Sequence, residues 1–122
     1  MFYVEIKSIE VIPYVRMTTR GKFFKKRAIK YIENQNHLAW LFRIHGKGTI
    51  KNYPVKLVGF LKLKNLRTNA DWDNYLKALQ DALVKAGILP SDCVKYLRGG
   101  NFSVQKGENQ LKLFLIEMSQ KS

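Results

Sequence analysis

The feature that most constrains the fold is the stretch DWDNYLKALQDALVKAG, from position 71 to position 87. Its apolar residues recur at spacings of three and four, the period of one helix face: Trp72, Leu76, Leu79, Leu83 and Ala86. Gly87 follows them, and glycine readily adopts the left-handed backbone conformation that ends many helices. The pattern therefore predicts a helix with a fixed apolar face, closed at Gly87.

Four other segments are rich in β-branched and aromatic residues, which is typical of strands. They are FYVEIKSIEVIPYV (2–15), YPVKLVGFLKLKNL (53–66), CVKYLRGGNFSV (93–104) and QLKLFLIEM (110–118). The intervening KGEN at 106–109 indicates a hairpin turn between the last two strands. An earlier helix is predicted over FFKKRAIKYIENQNHLAWLF (23–42), ended by HGKG at 45–48, with an apolar stripe of Phe24, Ala28, Tyr31, Leu38, Ala39 and Phe42.

The predicted order is strand, helix, strand, helix, strand, strand. This order indicates an α/β (α+β) fold with a mixed four-stranded sheet and two helices. The 122 residues suffice for one ordinary hydrophobic core, so we expect a single domain over 1–122.

Charge narrows the class of partner. Lys and Arg number 22 against nine Asp and Glu, so the net charge of +13 attracts polyanions such as nucleic acid, although charge alone does not separate RNA, DNA and anionic lipid. No apolar run approaches the roughly 20 residues that span a bilayer, and the first residues lack a signal-peptide pattern. We therefore expect a cytoplasmic protein without a membrane partner.

All four aspartates of the chain lie between positions 71 and 92: Asp71, Asp73, Asp81 and Asp92. Asp71 and Asp73 stand where a Lys-rich strand leads into the second helix, and Asp92 can return to the same end if the chain re-enters the sheet beside that strand. Converging carboxylates need a cation, and Mg²⁺ or Mn²⁺ suits oxygen ligands. Such an ion supports phosphoryl chemistry, and Lys77 would then hold the attacked phosphate.

The same residues also have a simpler interpretation. An aspartate at a helix start satisfies free backbone donors, so Asp71 is equally explained as an N-cap. Asp73, Lys77 and Asp81 are spaced as an exposed ladder of i,i+4 ion pairs. Spacing alone leaves both interpretations open.

The motif DWDNYLKALQDALVKAG followed by SD resembles the D-x-D-N-x-x-K-x-x-x-D-A-L-x-x-A-G motif of the RusA family of Holliday-junction resolvases. The resemblance covers about residues 55–118. It implies a Mg²⁺-dependent homodimer that cuts four-way DNA junctions by paired, symmetric nicks. It also implies that Asp71, Asp73 and Asp92 are metal-binding catalytic acids and that Lys77 is catalytic or contacts phosphate, while Asn74 orients the junction and Asp81 supports the lysine or the fold.

The basic stretch RGKFFKKRAIK carries six positive residues and no acid: Arg20, Lys22, Lys25, Lys26, Arg27 and Lys30. A solvated helix flank is the simpler interpretation, but unrelieved repulsion favours binding to DNA phosphates. Trp40, Phe23 and Phe24 are candidates for a dimer contact or a base-stacking wedge.

We therefore expect an endodeoxyribonuclease selective for branched DNA, acting in recombination and repair. The alternative is a non-catalytic basic nucleic-acid-binding module in which the aspartates are caps and ladders.

Overall fold

The computed structural model describes residues 1–14, 22–67 and 70–118, and for residues 22–25 the backbone only. These described residues form one α+β domain with two helices and a five-stranded mixed sheet. Its elements are β1 (Phe2–Lys7), α1 (Lys22–His45), β2 (Lys47–Gly48), β3 (Val55–Leu63), α2 (Trp72–Lys85), β4 (Leu97–Lys106) and β5 (Gln110–Glu117). The predicted order is confirmed, but the predicted four strands are one too few, because the two-residue strand β2 joins the sheet beside β1.

The strands lie in the order β2-β1-β5-β3-β4, with β3 and β4 parallel and the other neighbours antiparallel. The prediction of a hairpin between β4 and β5 is wrong, because β3 lies between them. The turn instead crosses the end of β3, where Gly107 donates its N–H to the Leu63 carbonyl at 3.1 Å and Asn109 accepts the Lys64 N–H at 2.8 Å. The residues of this turn are compatible both with a hairpin and with a connection that crosses the end of β3.

The first strand is shorter than predicted. It ends at Lys7, because Ser8 has a left-handed φ of 59° and donates its N–H to the Asn109 carbonyl at 3.1 Å. The prediction of a strand over positions 8–14 is therefore wrong, and position 15 lies outside the described residues. The segment 9–14 runs instead toward the helices, held by the Asn34 side chain, which accepts the Ile12 N–H at 2.9 Å and donates to the Glu10 carbonyl at 3.0 Å.

Strand β4 also begins later than predicted, at Leu97 instead of position 93. Residues 93–96 form a turn in which the Cys93 carbonyl accepts the N–H of Tyr96 at 2.9 Å and of Leu97 at 3.0 Å. This turn follows Asp92 directly and separates it from the sheet.

Both helices contribute to one continuous core with the inner faces of β1, β3 and β5. Helix α1 buries Tyr31, Leu38, Ala39 and Phe42 as predicted, whereas Ala28 is half-buried and the Phe24 side chain lies outside the described part. Helix α2 buries Tyr75, Ala78, Leu79, Ala82 and Leu83. Its buried face is therefore rotated from the predicted stripe, and Trp72 at its start is 49% exposed.

A buried amide connects the two helices. Gln35 of α1 is 3% exposed, and its side-chain amide donates to the Ala78 carbonyl of α2 at 2.8 Å. The hydrogen bond compensates for the loss of hydration, so this polar residue is compatible with the middle of the helix pair. Helix α2 ends as predicted, with Gly87 in a left-handed conformation at φ 78°.

Candidate functional site

The site begins where β3 leads into α2. Asp71 occupies the N-cap position of α2 with an extended backbone (φ −67°, ψ 141°), and its carbonyl accepts the Asn74 N–H at 3.1 Å. Its carboxylate, however, makes no capping hydrogen bond. The side-chain capping interpretation therefore does not account for an acid at this position.

Asp73 lies in the first turn of α2 and is exposed, as is Asp71. Among the described residues, neither carboxylate has a hydrogen bond or an ion pair from another side chain. The positive end of the helix macrodipole favours negative charge here. Asp71 and Asp73 thus both lie at the helix start, and no cation of the described part of the chain contacts either carboxylate.

Lys77 lies about 6 Å along the helix axis from Asp73, four residues at about 1.5 Å each. Its ammonium nitrogen is 3.6 Å from an oxygen of Asp81 and 3.7 Å from an oxygen of Asp92, and it lies 5.1 Å from the centre of the Tyr14 ring. The lysine side chain is 42% exposed. Lys77 therefore joins α2 to the segment before β4 and to the segment after β1. Of the two predicted i,i+4 ion pairs, Lys77 forms the one with Asp81 and not the one with Asp73 among the described contacts.

Asp81 also links the two helices. The buried hydroxyl of Tyr31 donates to its carboxylate at 3.0 Å. Burial, reinforced by the adjacent charge of Asp81 and this hydrogen bond, raises the pKa of Tyr31 far above its usual range. Asp81 accordingly contacts both the lysine and the neighbouring helix, which agrees with a supporting role.

The three predicted metal ligands do not form one cluster. Across residues 1–14, 22–67 and 70–118, no three His, Cys, Asp or Glu side chains lie close enough to hold a metal ion together. Mg²⁺, however, commonly binds one or two protein carboxylates and completes its shell with water and substrate phosphate. The carboxylates of Asp71 and Asp73 fit that mode, because they are oxygen ligands and no described side chain pairs with them. Asp92 contacts Lys77 instead.

A cavity of about 220 Å³ lies between α2 and β4. Trp72 and Gln80 line it from the helix, Gly99 and Gly100 from the strand, and Asp92 from the segment between them. Sequence reasoning assigned Trp72 to the apolar stripe and did not identify the cavity. The available signal was the position of Trp72 between Asp71 and Asp73, at the exposed start of the helix.

The basic stretch is only partly described. Lys26, Arg27 and Lys30 are exposed on the first turns of α1, whereas Arg20 and the side chains of Lys22 and Lys25 fall outside the described part. Tyr31, which contacts Asp81, directly follows Lys30. The described basic residues therefore approach the Lys77 region along α1.

Exposed apolar side chains lie further along α1. Trp40 is 54% exposed and stacks on His37 with ring centres 6.0 Å apart, and Ile29, Ile32 and Ile44 are also exposed. The Phe23 and Phe24 side chains lie outside the described part, so their predicted roles stay predictions. No described helix combines the length and the apolar character needed to cross a membrane.

No protein-family model matches the chain, and a search of curated proteins finds no significant match.

Proposed function

We propose that this protein is a divalent-metal-dependent endodeoxyribonuclease of the RusA type, which cuts four-way DNA junctions by paired nicks. The observation that carries the proposal is the contact of Lys77 in α2 with Asp92 in the segment before β4, on the same helix that begins with Asp71 and Asp73. A long-range contact of this kind is not explained by i,i+4 spacing. It brings together a lysine and a carboxylate, two of the groups that phosphoryl chemistry uses.

Lys77 would bind the phosphate at the cleaved bond. In the free protein its ammonium rests between Asp81 and Asp92 with distances above 3.5 Å, so it is held near its working position without a tight competing bond. It is also partly exposed, which leaves it accessible to DNA. A positioned positive charge stabilises the negative charge that develops on the phosphate oxygens in the transition state.

Asp71 and Asp73 would hold the metal as a pair, because Asp92 does not form one cluster with them among the described residues. When bound, Mg²⁺ or Mn²⁺ would neutralise phosphate charge and make a bound water more acidic. Asp92 would keep Lys77 oriented through the contact seen in the structure.

The basic start of α1 would bind the DNA backbone. Lys26, Arg27 and Lys30 are exposed there, and each phosphate contact releases counterions, so the slope of log K against log salt becomes more negative by about 0.9 per contact. This surface serves equally well in a non-catalytic binding module. It therefore supports DNA as the partner but does not distinguish the two functions.

Cleavage of a labelled synthetic four-way junction, with and without Mg²⁺, tests the proposal. We expect Mg²⁺-dependent nicks in two opposing strands. Asp73→Asn should reduce the cleavage rate by at least 10²-fold while junction binding is kept or strengthened, because a negative charge facing phosphate is removed. Glu33→Gln, which removes a carboxylate from the exposed surface of α1, is the matched control.

The binding-module alternative makes a different prediction. In that case the wild-type protein binds the junction without cutting it in either condition, and Asp73→Asn changes only helix stability. Wild-type binding without cleavage would refute the nuclease proposal.

A further inference from the structure

The cavity between α2 and β4 has two unlike walls. The helix wall presents the half-exposed indole of Trp72 and the amide of Gln80. The strand wall includes the backbone of Gly99 and Gly100, which carry no side chains. Glycine is required at position 100, because a Cβ there would lie 1.8 Å from the Leu57 carbonyl oxygen and φ is +147°.

The cavity suits a flat ring with a polar edge, because apolar side chains make up most of its wall: besides Trp72 these are Leu57, Leu76, Leu97 and Phe102. At about 220 Å³ it is smaller than the roughly 300–1,000 Å³ pockets that enclose whole drug-sized ligands, so it accommodates part of a larger molecule. The indole of Trp72 offers an aromatic face for stacking. Gln80 can both donate and accept hydrogen bonds, and the Asp92 carboxylate can accept a hydrogen bond from a ring amino group.

The location of the cavity ties it to the phosphate site. Asp92 lines the cavity and also contacts Lys77, while Trp72 stands in sequence between Asp71 and Asp73. A ring in the cavity would therefore lie next to a phosphate at Lys77. A nucleobase and its own backbone phosphate present this combination of a flat polar ring and an adjacent anion.

We propose that the cavity binds one unstacked nucleobase of the DNA strand whose phosphate lies at Lys77. The assignment rests on the proposed nuclease function and adds a recognition site to it. Nucleotides at the branch point of a junction are less constrained by stacking than those within a duplex, so the protein would select branched DNA by capturing such a base. Stacking on an aromatic side chain tolerates any base, and Gln80 and Asp92 would add a preference for bases with an amino group.

Fluorescence of 2-aminopurine tests the proposal. This fluorescent base is placed at one position at a time around the branch point, and the junction is bound in EDTA so that no metal-dependent cleavage occurs. Stacking on an indole quenches 2-aminopurine. At one position we expect the complex of Trp72→Leu to be at least twofold brighter than the wild-type complex.

Affinity provides the second measurement. Fluorescence anisotropy should show that Trp72→Leu binds the junction roughly 5- to 150-fold more weakly, the loss expected for one base–aromatic stack, and that Trp72→Phe recovers part of it. Val94→Ala is the control, because Val94 is 66% exposed in the neighbouring segment and does not line the cavity. Thermal unfolding of each variant verifies the fold. If Trp72→Leu fails to fold, Trp72→Phe, which keeps a ring but removes the indole, should show the same position-specific change in brightness and affinity to a smaller extent.

The outcomes separate this proposal from the proposed function. Equal brightness of the two complexes at every position, with unchanged affinity, would overturn the base-binding cavity. That result would leave the proposal of junction cleavage unaffected. A position-specific signal from a wild-type protein that never cleaves would support the cavity and refute the nuclease. If Trp72→Leu only converts a dimer to a monomer, the cavity belongs to a protein contact and the proposal is overturned.

Discussion

Replacing Lys77 with methionine separates the structural from the catalytic interpretation of this residue. Methionine keeps an unbranched apolar stem and removes the charge. The structure then predicts the loss of two partly exposed ion pairs, worth about 0.2–1 kcal/mol each, and of one cation–π contact with Tyr14, worth about 0.5–1 kcal/mol. We expect the free energy of unfolding to fall by about 1–3 kcal/mol. Each kcal/mol should lower Tm by roughly 3–6 °C.

The effect on chemistry should be larger than this loss of stability. If Lys77 stabilises charge on the cleaved phosphate, Lys77→Met slows single-turnover cleavage by roughly 10²- to 10³-fold at a temperature where the variant is fully folded. Lys77→Arg should restore only part of the rate, because a planar guanidinium does not reproduce a compact ammonium.

Asp81→Asn is the matched control for Lys77→Met. It weakens the i,i+4 ion pair but keeps an oxygen that accepts the Tyr31 hydroxyl and leaves the Asp92 contact in place. We expect its cleavage rate to stay within tenfold of wild type. Cleavage by Lys77→Met at nearly the wild-type rate would refute the reasoning and make Lys77 a stabilising surface residue.

Two further predictions concern assembly and pH. Paired nicks require two sites related by a two-fold axis, so light scattering should report a dimer. Trp40→Glu should shift the dimer to a monomer if a second copy covers the exposed apolar side chains of α1. A monomer at every concentration, with cleavage intact, would contradict this prediction. Because the pKa of Tyr31 is raised in the folded protein, the stabilisation that Tyr31 gives the fold is complete below pH 10. Above pH 10 the tyrosine of the unfolded chain ionises first, so the free energy of unfolding falls by up to about 1.4 kcal/mol per pH unit. Urea unfolding should show that Tyr31→Phe lowers stability at pH 7 by about 1.5–3 kcal/mol and flattens the decline above pH 10; equal slopes for both proteins would contradict the assignment.

Strong periodicity made the helices predictable, and the sheet connections were not. The stripe of α2 correctly indicated a helix ending at Gly87 but misplaced Trp72, because a residue in the first turn projects past the core. The KGEN turn carried the local signal of a hairpin, and nothing local shows that β3 lies between the strands it joins. A two-residue strand such as β2 is too short to carry a periodic signal.

The candidate site was predictable to a similar extent. Helical spacing gave the Lys77–Asp81 pair, since residues four apart share a helix face. The contact of Lys77 with Asp92 depends on the turn before β4, and its contact with Tyr14 depends on the path of the chain after Ser8. Both paths are set by long-range packing, which a residue pattern does not encode locally.

The pairing of β1 with β5 has a consequence for synthesis of the protein in the cell. Phe2 pairs with Leu115, so the second residue of the chain pairs with a strand that leaves the ribosome more than 100 residues later. At about 5–20 residues per second, β1 waits several seconds for this neighbour. The sheet is completed only after β5 has emerged, because β5 lies between β1 and β3. The central pairings of the sheet therefore form late in synthesis, after both helices have emerged.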